Sequence, residues 1–198
     1  MTTFNTGDEI SAAFLNAIPR GNLEQEDLVN YPIQITAWRW ADGSIPDTTG
    51  AAGNPAILMG GWGSGTGIFQ GEDAQAGAKT ETMFFDFPVP ECYVDGETIT
   101  LSVSARYNDA GTNSMGTKSI DVEAYEIAEA GTAGSDINNT AAQTLTGSMA
   151  AYSWTILPTN VGAGDMIRIY VRTVIQGDNN GAVKMELGGA TVKIDLKG

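Results

Sequence analysis

The carboxyl-terminal third of the chain alternates apolar and polar residues in three runs, at 166–175, 183–187 and 192–197. A period of two is typical of a β-strand that buries one face and exposes the other. This feature therefore predicts long antiparallel strands at the end of the chain. The apolar positions of the three runs are Ile167, Ile169, Val171, Ile175, Val183, Met185, Leu187, Val192, Ile194 and Leu196.

Earlier segments repeat this alternation, most regularly over residues 98–107 and less regularly near 33–37, 83–89 and 120–124. With shorter strand candidates at 56–59, 68–69 and 154–156, these segments predict roughly eight to ten strands, the layout of a two-sheet jelly roll or a related sandwich. No helix long enough for a βαβ unit interrupts them, which argues against a parallel sheet. We predict an all-β fold, an antiparallel two-sheet jelly-roll-like sandwich with a short N-terminal helical arm.

The first 30 residues differ from the rest. Residues 6–9, Thr-Gly-Asp-Glu, fit a helix capping box, and an apolar stripe at helical spacing follows them. The stripe consists of Ile10, Phe14 and Ile18. Such a short helix is marginal alone, so it must dock on its own domain or on a neighbouring subunit. We therefore divide the chain into an arm over 1–30 and a sandwich domain over 31–198.

Three short turn signals lie between the later strands. Asp95-Gly96 predicts a turn before the strand at 98–107, and the Asn-Gly pair within 178–181 predicts a hairpin. Gly188-Gly189 predicts a further hairpin turn, which would separate the runs at 183–187 and 192–197.

Composition excludes several classes of function. The chain has 24 acidic and 10 basic residues, a formal net charge of −14, which opposes binding to nucleic acid or to anionic membranes. It has no histidine and one cysteine, so a histidine relay, an intrachain disulfide and a cysteine-rich zinc site are all excluded. No signal peptide or membrane span is evident, so we expect synthesis and folding in a cytoplasm.

No motif in the sequence predicts an enzyme or a cofactor. The glycine-rich stretch 60–67 lacks the lysine of a phosphate loop, and Trp62 replaces the first glycine of a nucleophile elbow. Paired carboxylates, such as Asp121 with Glu123, fall on the solvent face of a predicted strand. We predict neither catalytic residues nor a metal, although oxygen-rich loops leave calcium as an alternative. The loop carboxylates are Asp42, Asp47, Asp73 and Asp178.

Three tryptophans are the candidates for contact with a partner. Trp38, Trp40 and Trp62 lie on a predicted strand or near a turn, where exposed aromatic rings form subunit interfaces or stack on sugar rings. With the apolar stripe of the arm, they make up the predicted partner-binding residues.

Residues 152–198 resemble the closing strands of tailed-phage jelly-roll virion proteins of the capsid cement or decoration type. Residues 95–107 have a similar pattern. The similarity lies in Ser153-Trp154-Thr155-Ile156, the turn at 161–165 and the long strands that follow. It implies a structural virion protein that binds the major capsid protein and sister copies, as a homo-oligomer with a trimer favoured, and without catalysis. The alternative is a carbohydrate-binding jelly-roll module, free or within a phage adsorption apparatus; an enzyme on a jelly roll is a third possibility.

Overall fold

The computed structural model describes residues 27–46, 56–59, 67–74, 77–111, 116–128, 131–178 and 180–197. These residues form twelve strands in two six-stranded sheets, and every strand pairing is antiparallel. The predicted all-β sandwich is confirmed, whereas the predicted helical arm lies in residues 1–26, outside the described residues. No helix within the described ranges is long and apolar enough to cross a membrane.

The first sheet is organised around the last strand, β12. Its order is β10-β6-β12-β4-β3, and β1 pairs with β12 beside β4. β12 thus contacts β6 along one edge and shares its other edge between β4 and β1. The strands of this sheet are β1 (Asp27–Ile33), β3 (Ala56–Met59), β4 (Gly67–Gln70), β6 (Ile99–Asp109), β10 (Ala150–Ile156) and β12 (Val183–Leu196).

The second sheet is organised around β11. Its order is β2-β5-β11-β7-β8, with β9 also paired to β7. β11 pairs over all ten of its residues with both neighbours, β5 and β7. The strands of this sheet are β2 (Arg39–Trp40), β5 (Lys79–Pro88), β7 (Lys118–Ile127), β8 (Ala133–Asp136), β9 (Gln143–Thr144) and β11 (Met166–Ile175).

The core lies between the two sheets and is formed by the inward-facing residues of their strands. Trp38 is completely buried at one edge of the core and joins the sheets. Its ring lies 4.9 Å from Phe85 of β5 and 5.6 Å from Phe69 of β4, in edge-to-face arrangements. The apolar alternation predicted for β11 is confirmed, since its inward side chains are at most 2% exposed; they are Ile167, Ile169, Val171, Thr173 and Ile175.

A bulge in β12 corrects the predicted turn at Gly188-Gly189. β12 continues through both glycines, and its register against β6 shifts between Leu187 and Gly189. The buried apolar positions are odd-numbered up to Leu187 and even-numbered from Ala190. A bulge adds one residue to the strand, and this extra residue shifts the inward-facing positions from odd to even numbers. The paired glycines therefore mark a bulge rather than a chain reversal.

The predicted hairpin at 178–181 is also wrong. The strands on either side, β11 and β12, belong to different sheets, so the segment carries the chain across the sandwich. By contrast, the turn predicted at Asp95-Gly96 is confirmed by the positive φ of Gly96, 91°. An Asn-Gly pair specifies a tight local turn, but it does not decide whether the next strand pairs with the previous one.

The start of the sandwich differs from the predicted boundary at residue 31. β1 begins at Asp27 and pairs with β12 along its whole length, so residues 27–30 belong to the sheet. The strand predicted over 33–37 ends at Ile33, and Ile35–Ala37 form a 3₁₀ turn. This turn leads to Trp38, which enters the core.

A half-buried carboxylate lies at one end of the second sheet. Glu81 accepts a hydrogen bond from the Glu72 backbone N–H at 2.9 Å, while Lys79 forms an ion pair with the Glu72 carboxylate. Burial raises the pKa of Glu81, the Glu72 charge adds to this increase, and the Glu72 N–H and Lys79 act in the opposite direction. The ionised form of Glu81 therefore destabilises the folded state.

The bulge allows a matched pair of substitutions. Gly189 has a φ of 148°, where an L side chain is strained, whereas an added Cβ at Gly188 meets Met149 at an ordinary 3.5 Å. We expect Gly189→Ala to lower the free energy of unfolding by about 1–3 kcal/mol. Gly188→Ala should change it by less than about 0.5 kcal/mol. Urea unfolding of both variants measures the difference, and equal stabilities would contradict the assignment of the bulge.

The second prediction concerns pH. Because the folded-state pKa of Glu81 lies above its ordinary 4.5, stability is lost as pH rises from 4.5 through the folded-state pKa. Glu81→Gln should therefore be more stable than the unmodified chain at pH 7, and this advantage should disappear below pH 4.5. Thermal unfolding across this range tests it, with the exposed carboxylate variant Glu91→Gln as a control that shows no such trend.

Candidate functional site

The outward face of the second sheet carries an unusual set of side chains on its three central strands. The register places Phe84 of β5 beside Tyr170 of β11, and Tyr170 beside Glu123 of β7. Successive side chains of a strand point to opposite faces of the sheet. Because the neighbouring residues on each strand point into the core, these side chains lie on the solvent side. They share that face with Tyr125, two residues further along β7.

Three rings cross this face and form what we call the aromatic row, Phe84, Tyr170 and Tyr125. The Phe84 and Tyr170 centroids lie 5.4 Å apart with a tilt of 45°, and the Tyr125 and Tyr170 centroids lie 6.0 Å apart at 81°. Phe84 is 9% exposed, whereas the two tyrosines are partly exposed. The tyrosines therefore offer ring surface to a ligand, and Phe84 supports Tyr170 from the side.

One end of the aromatic row is fixed by a bidentate ion pair. Arg168 donates from Nε and Nη2 to the two Asp86 oxygens, at 2.7 and 2.9 Å, and its guanidinium lies 4.5 Å from the Phe84 ring centroid. The hydrogen bonds to Asp86 raise the pKa of Arg168. Two parallel hydrogen bonds and a ring contact hold Arg168 in one orientation.

A second, looser ion pair lies on the other side of Tyr170. Arg172 Nη2 lies 3.2 Å from Asp121 Oδ2, and half of the Arg172 side chain is exposed. This pair makes a single contact, so Arg172 keeps nitrogens that can donate to a ligand.

Glu123 is the exposed carboxylate between the tyrosines. Its Oε2 accepts a hydrogen bond of 3.0 Å from the Tyr125 hydroxyl, and it forms no ion pair with any lysine or arginine of the described ranges. Burial raises the pKa of Tyr125, and the bond to Glu123 adds to the increase. The Tyr125 hydroxyl therefore stays protonated at neutral pH and donates to Glu123.

Two adjoining depressions lie over this surface, and both are lined by Thr82, Glu123 and Tyr170. The first has a volume of about 180 Å³ and adds Asp121 and Arg172. The second, about 380 Å³, adds Tyr125 and Ala133 and is called the tyrosine pocket below. Ring faces, a hydroxyl, carboxylates and a guanidinium can together bind a ligand that has both apolar and hydroxyl-bearing surfaces.

The predicted partner-binding residues do not form this surface. Trp38 is completely buried, so the expectation that it contacts a partner is corrected: its ring fills the space between the sheets. Trp40 is partly buried and lies 6.2 Å from Phe69, on the core side. Ile10, Phe14, Ile18 and Trp62 lie outside the described residues.

The loop carboxylates that left calcium as an alternative do not form a cluster in the part of the chain that the structure describes, where no three acidic, histidine or cysteine side chains are grouped to hold a metal. Asp42 accepts a hydrogen bond from the Ser44 N–H and Asp73 accepts one from the Val183 N–H. Asp47 lies outside the described residues. The Asp42 contact stabilises its own turn, whereas the Asp73 contact joins its loop to the start of β12.

Part of the aromatic row can be recognised in the sequence. Tyr170 falls between Arg168 and Arg172 on the polar parity of β11, and Asp121 and Glu123 are on the solvent face of β7 as predicted. What the sequence could not supply was the strand order. Only the pairing of β11 with both β5 and β7 brings Phe84 and Tyr125 beside Tyr170.

No protein-family model matches the chain, and no curated protein matches it. Among solved structures, the CBM22-1 xylan-binding domain of Paenibacillus barcinonensis Xyn10C is 9% identical, with 88% of this chain and 98% of that one covered, at a TM-score of 0.47. The xylan-binding module CBM15 is 10% identical, covering 86% and 99%, at 0.46. A CBM4 structure is 13% identical, covering 81% and 88%, at 0.40. Such distant likenesses concern the fold alone.

The expectation of a capsid cement protein is corrected here. The three solved structures named above are carbohydrate-binding modules and not virion proteins, so this fold gives no support to the virion interpretation. The large apolar side chains that are exposed among the described residues lie on four separate segments of the chain. They are Leu28, Ile45, Met149 and Met166.

The two ion pairs beside Tyr170 allow an internal comparison. A double-mutant cycle on Arg168→Ala and Asp86→Ala should give a coupling free energy of about 1 kcal/mol, because the pair is bidentate. The same cycle on Arg172→Ala and Asp121→Ala should give about 0.3 kcal/mol, since this pair has one longer contact. Urea unfolding measures both, and an equal or reversed order would contradict the geometry described here.

Proposed function

We propose that this protein is a carbohydrate-binding domain that holds an oligosaccharide against the outward face of its second sheet. The observation that carries the proposal is the aromatic row lying beside exposed carboxylate and guanidinium groups on one sheet face. A carbohydrate-binding module was the alternative function considered from the sequence. We propose Tyr170 and Tyr125 as its binding residues, in place of the tryptophans.

The chemistry of the surface matches that of a sugar ring. A pyranose has an apolar C–H face that can pack on a tyrosine ring, and a rim of hydroxyls that donate and accept hydrogen bonds. Around Tyr170, the Glu123 carboxylate accepts, Arg172 donates, and the Thr82 hydroxyl can do either. Each class of sugar atom therefore finds a partner within one contiguous surface.

The surface is rigid before any ligand binds. Its residues lie on three hydrogen-bonded strands, and the Arg168–Asp86 pair with the Phe84 ring fixes one flank of Tyr170. A pre-formed site loses little conformational entropy on binding, which matters for a shallow surface that buries limited area. The three strands span about 10 Å, so the surface suits a short stretch of a glycan chain.

The test is a titration against soluble hexasaccharides of xylose, glucose, mannose and glucosamine, measured by calorimetry. Xylohexaose is the first probe, because xylan is what two of the structurally similar modules are named for. Tyr170→Ala should weaken binding at least about tenfold, since it removes the central ring of the platform.

The control is Tyr107→Ala, which truncates a partly buried tyrosine on β6 of the other sheet. This variant should keep the affinity of the unmodified chain, and circular dichroism should show both variants folded. Binding by none of the hexasaccharides, or equal losses in the two variants, would reject the proposal.

A further inference from the structure

We infer that the tyrosine pocket selects a sugar that carries a protonated amine, such as a glucosamine unit, over a neutral or N-acetylated sugar. The inference rests on the proposed function and concerns the second of the two depressions, the one lined by Tyr125, Tyr170 and Glu123.

The first step is the charge balance of the outward face. Arg168 is paired with Asp86 and Arg172 with Asp121, so each of these guanidinium groups already has a carboxylate partner. Glu123 is exposed, accepts a hydrogen bond from the neutral Tyr125 hydroxyl, and forms no ion pair with a described lysine or arginine. Within the tyrosine pocket, the Glu123 carboxylate therefore has no cationic partner.

The second step is the arrangement of the rings around that charge. Tyr125 and Tyr170 meet at 81° with their centroids 6.0 Å apart, which makes two walls of a corner. Glu123 lines the same pocket, together with the small side chain of Ala133. Aromatic faces attract ammonium groups through their quadrupole, and a carboxylate beside them adds a direct charge partner.

The two depressions differ in the ligand that they favour. The smaller one contains Arg172 and Asp121, which balance each other, so it offers donors and acceptors to hydroxyl groups. The tyrosine pocket contains Glu123 and no basic side chain. We therefore place the amine-bearing sugar unit at the tyrosine pocket, and a neighbouring unit of the chain beside Arg172.

The overall charge of the chain acts in the same direction. A formal net charge of −14 gives a negative field that attracts cationic ligands and repels anionic ones. This long-range attraction is screened by salt and does not depend on one side chain. The experiment must therefore separate it from selection by Glu123.

The experiment compares glucosamine hexamer, its fully N-acetylated counterpart and xylohexaose by calorimetry at mildly acidic pH, where the sugar amines are protonated. The unmodified chain should bind the glucosamine hexamer about tenfold more tightly than the other two, from the charge partner and the ring contacts together. In Glu123→Gln the preference should fall below about threefold, because the glucosamine hexamer loses its charge partner, whereas sugar hydroxyls can still donate to the amide oxygen and the neutral sugars lose less affinity.

The matched control is Glu97→Gln, which removes an exposed carboxylate outside this surface and should retain the preference. A preference that persists in Glu123→Gln, or that falls equally in both variants, overturns the inference in favour of the general field of the chain. If the unmodified chain binds all three hexamers equally and Tyr170→Ala abolishes that binding, the inference is overturned but the proposed function stands. No binding by any of these three hexamers overturns the inference, and the proposed function is then rejected only if the glucose and mannose hexamers also fail to bind.

Discussion

The constraint on which the structure depends is the position of β11 between two fully paired neighbours. Its inward side chains are all buried, and both partners follow it without a register shift over ten residues. A slip by one residue would turn Arg168, Tyr170 and Arg172 into the core and expose five side chains that the core needs. Burial of the odd-numbered side chains of β11 therefore determines that its even-numbered side chains face the solvent.

This coupling explains how an exposed, shallow surface can be well ordered. The aromatic row is not held by a loop or a lid; it lies on strands whose opposite side is the core of the domain. Arg168 contacts both Asp86 and the Phe84 ring, so a polar and an apolar contact fix the same side chain. A sheet face built in this way changes its conformation little when a ligand binds. Such a surface discriminates between ligands by its chemistry rather than by a conformational change.

Much of this architecture could be predicted from the sequence, because burial leaves a period of two in each long strand. The inward faces of β6, β11 and both halves of β12 were predicted correctly. The errors arose where a local signal has two structural outcomes. Gly188-Gly189 suits a turn or a bulge, and only pairing with β6 decides between them. Trp38 was expected outside because it was assigned to an alternating strand, whereas a 3₁₀ turn redirects it into the core.

The site was harder to predict, because it is formed by residues far apart in the chain. Phe84, Tyr125 and Tyr170 become neighbours only through the order of β5, β11 and β7, and no local pattern contains that order. The resemblance to virion proteins concerned strand style and turns, which many jelly rolls share, and these features do not determine what the outer surface binds.

The central place of β12 in the first sheet has a consequence for biosynthesis. The strand that β1 needs as a partner lies more than 150 residues further along the chain, since Asp27 pairs with Leu196. While a ribosome is still making the chain, β1, β4 and β6 therefore have unpaired edges towards the space that β12 will fill. Closure of the sheet must wait until residues through Leu196 have left the exit tunnel, so nascent chains are the form of this protein most exposed to aggregation and to chaperones.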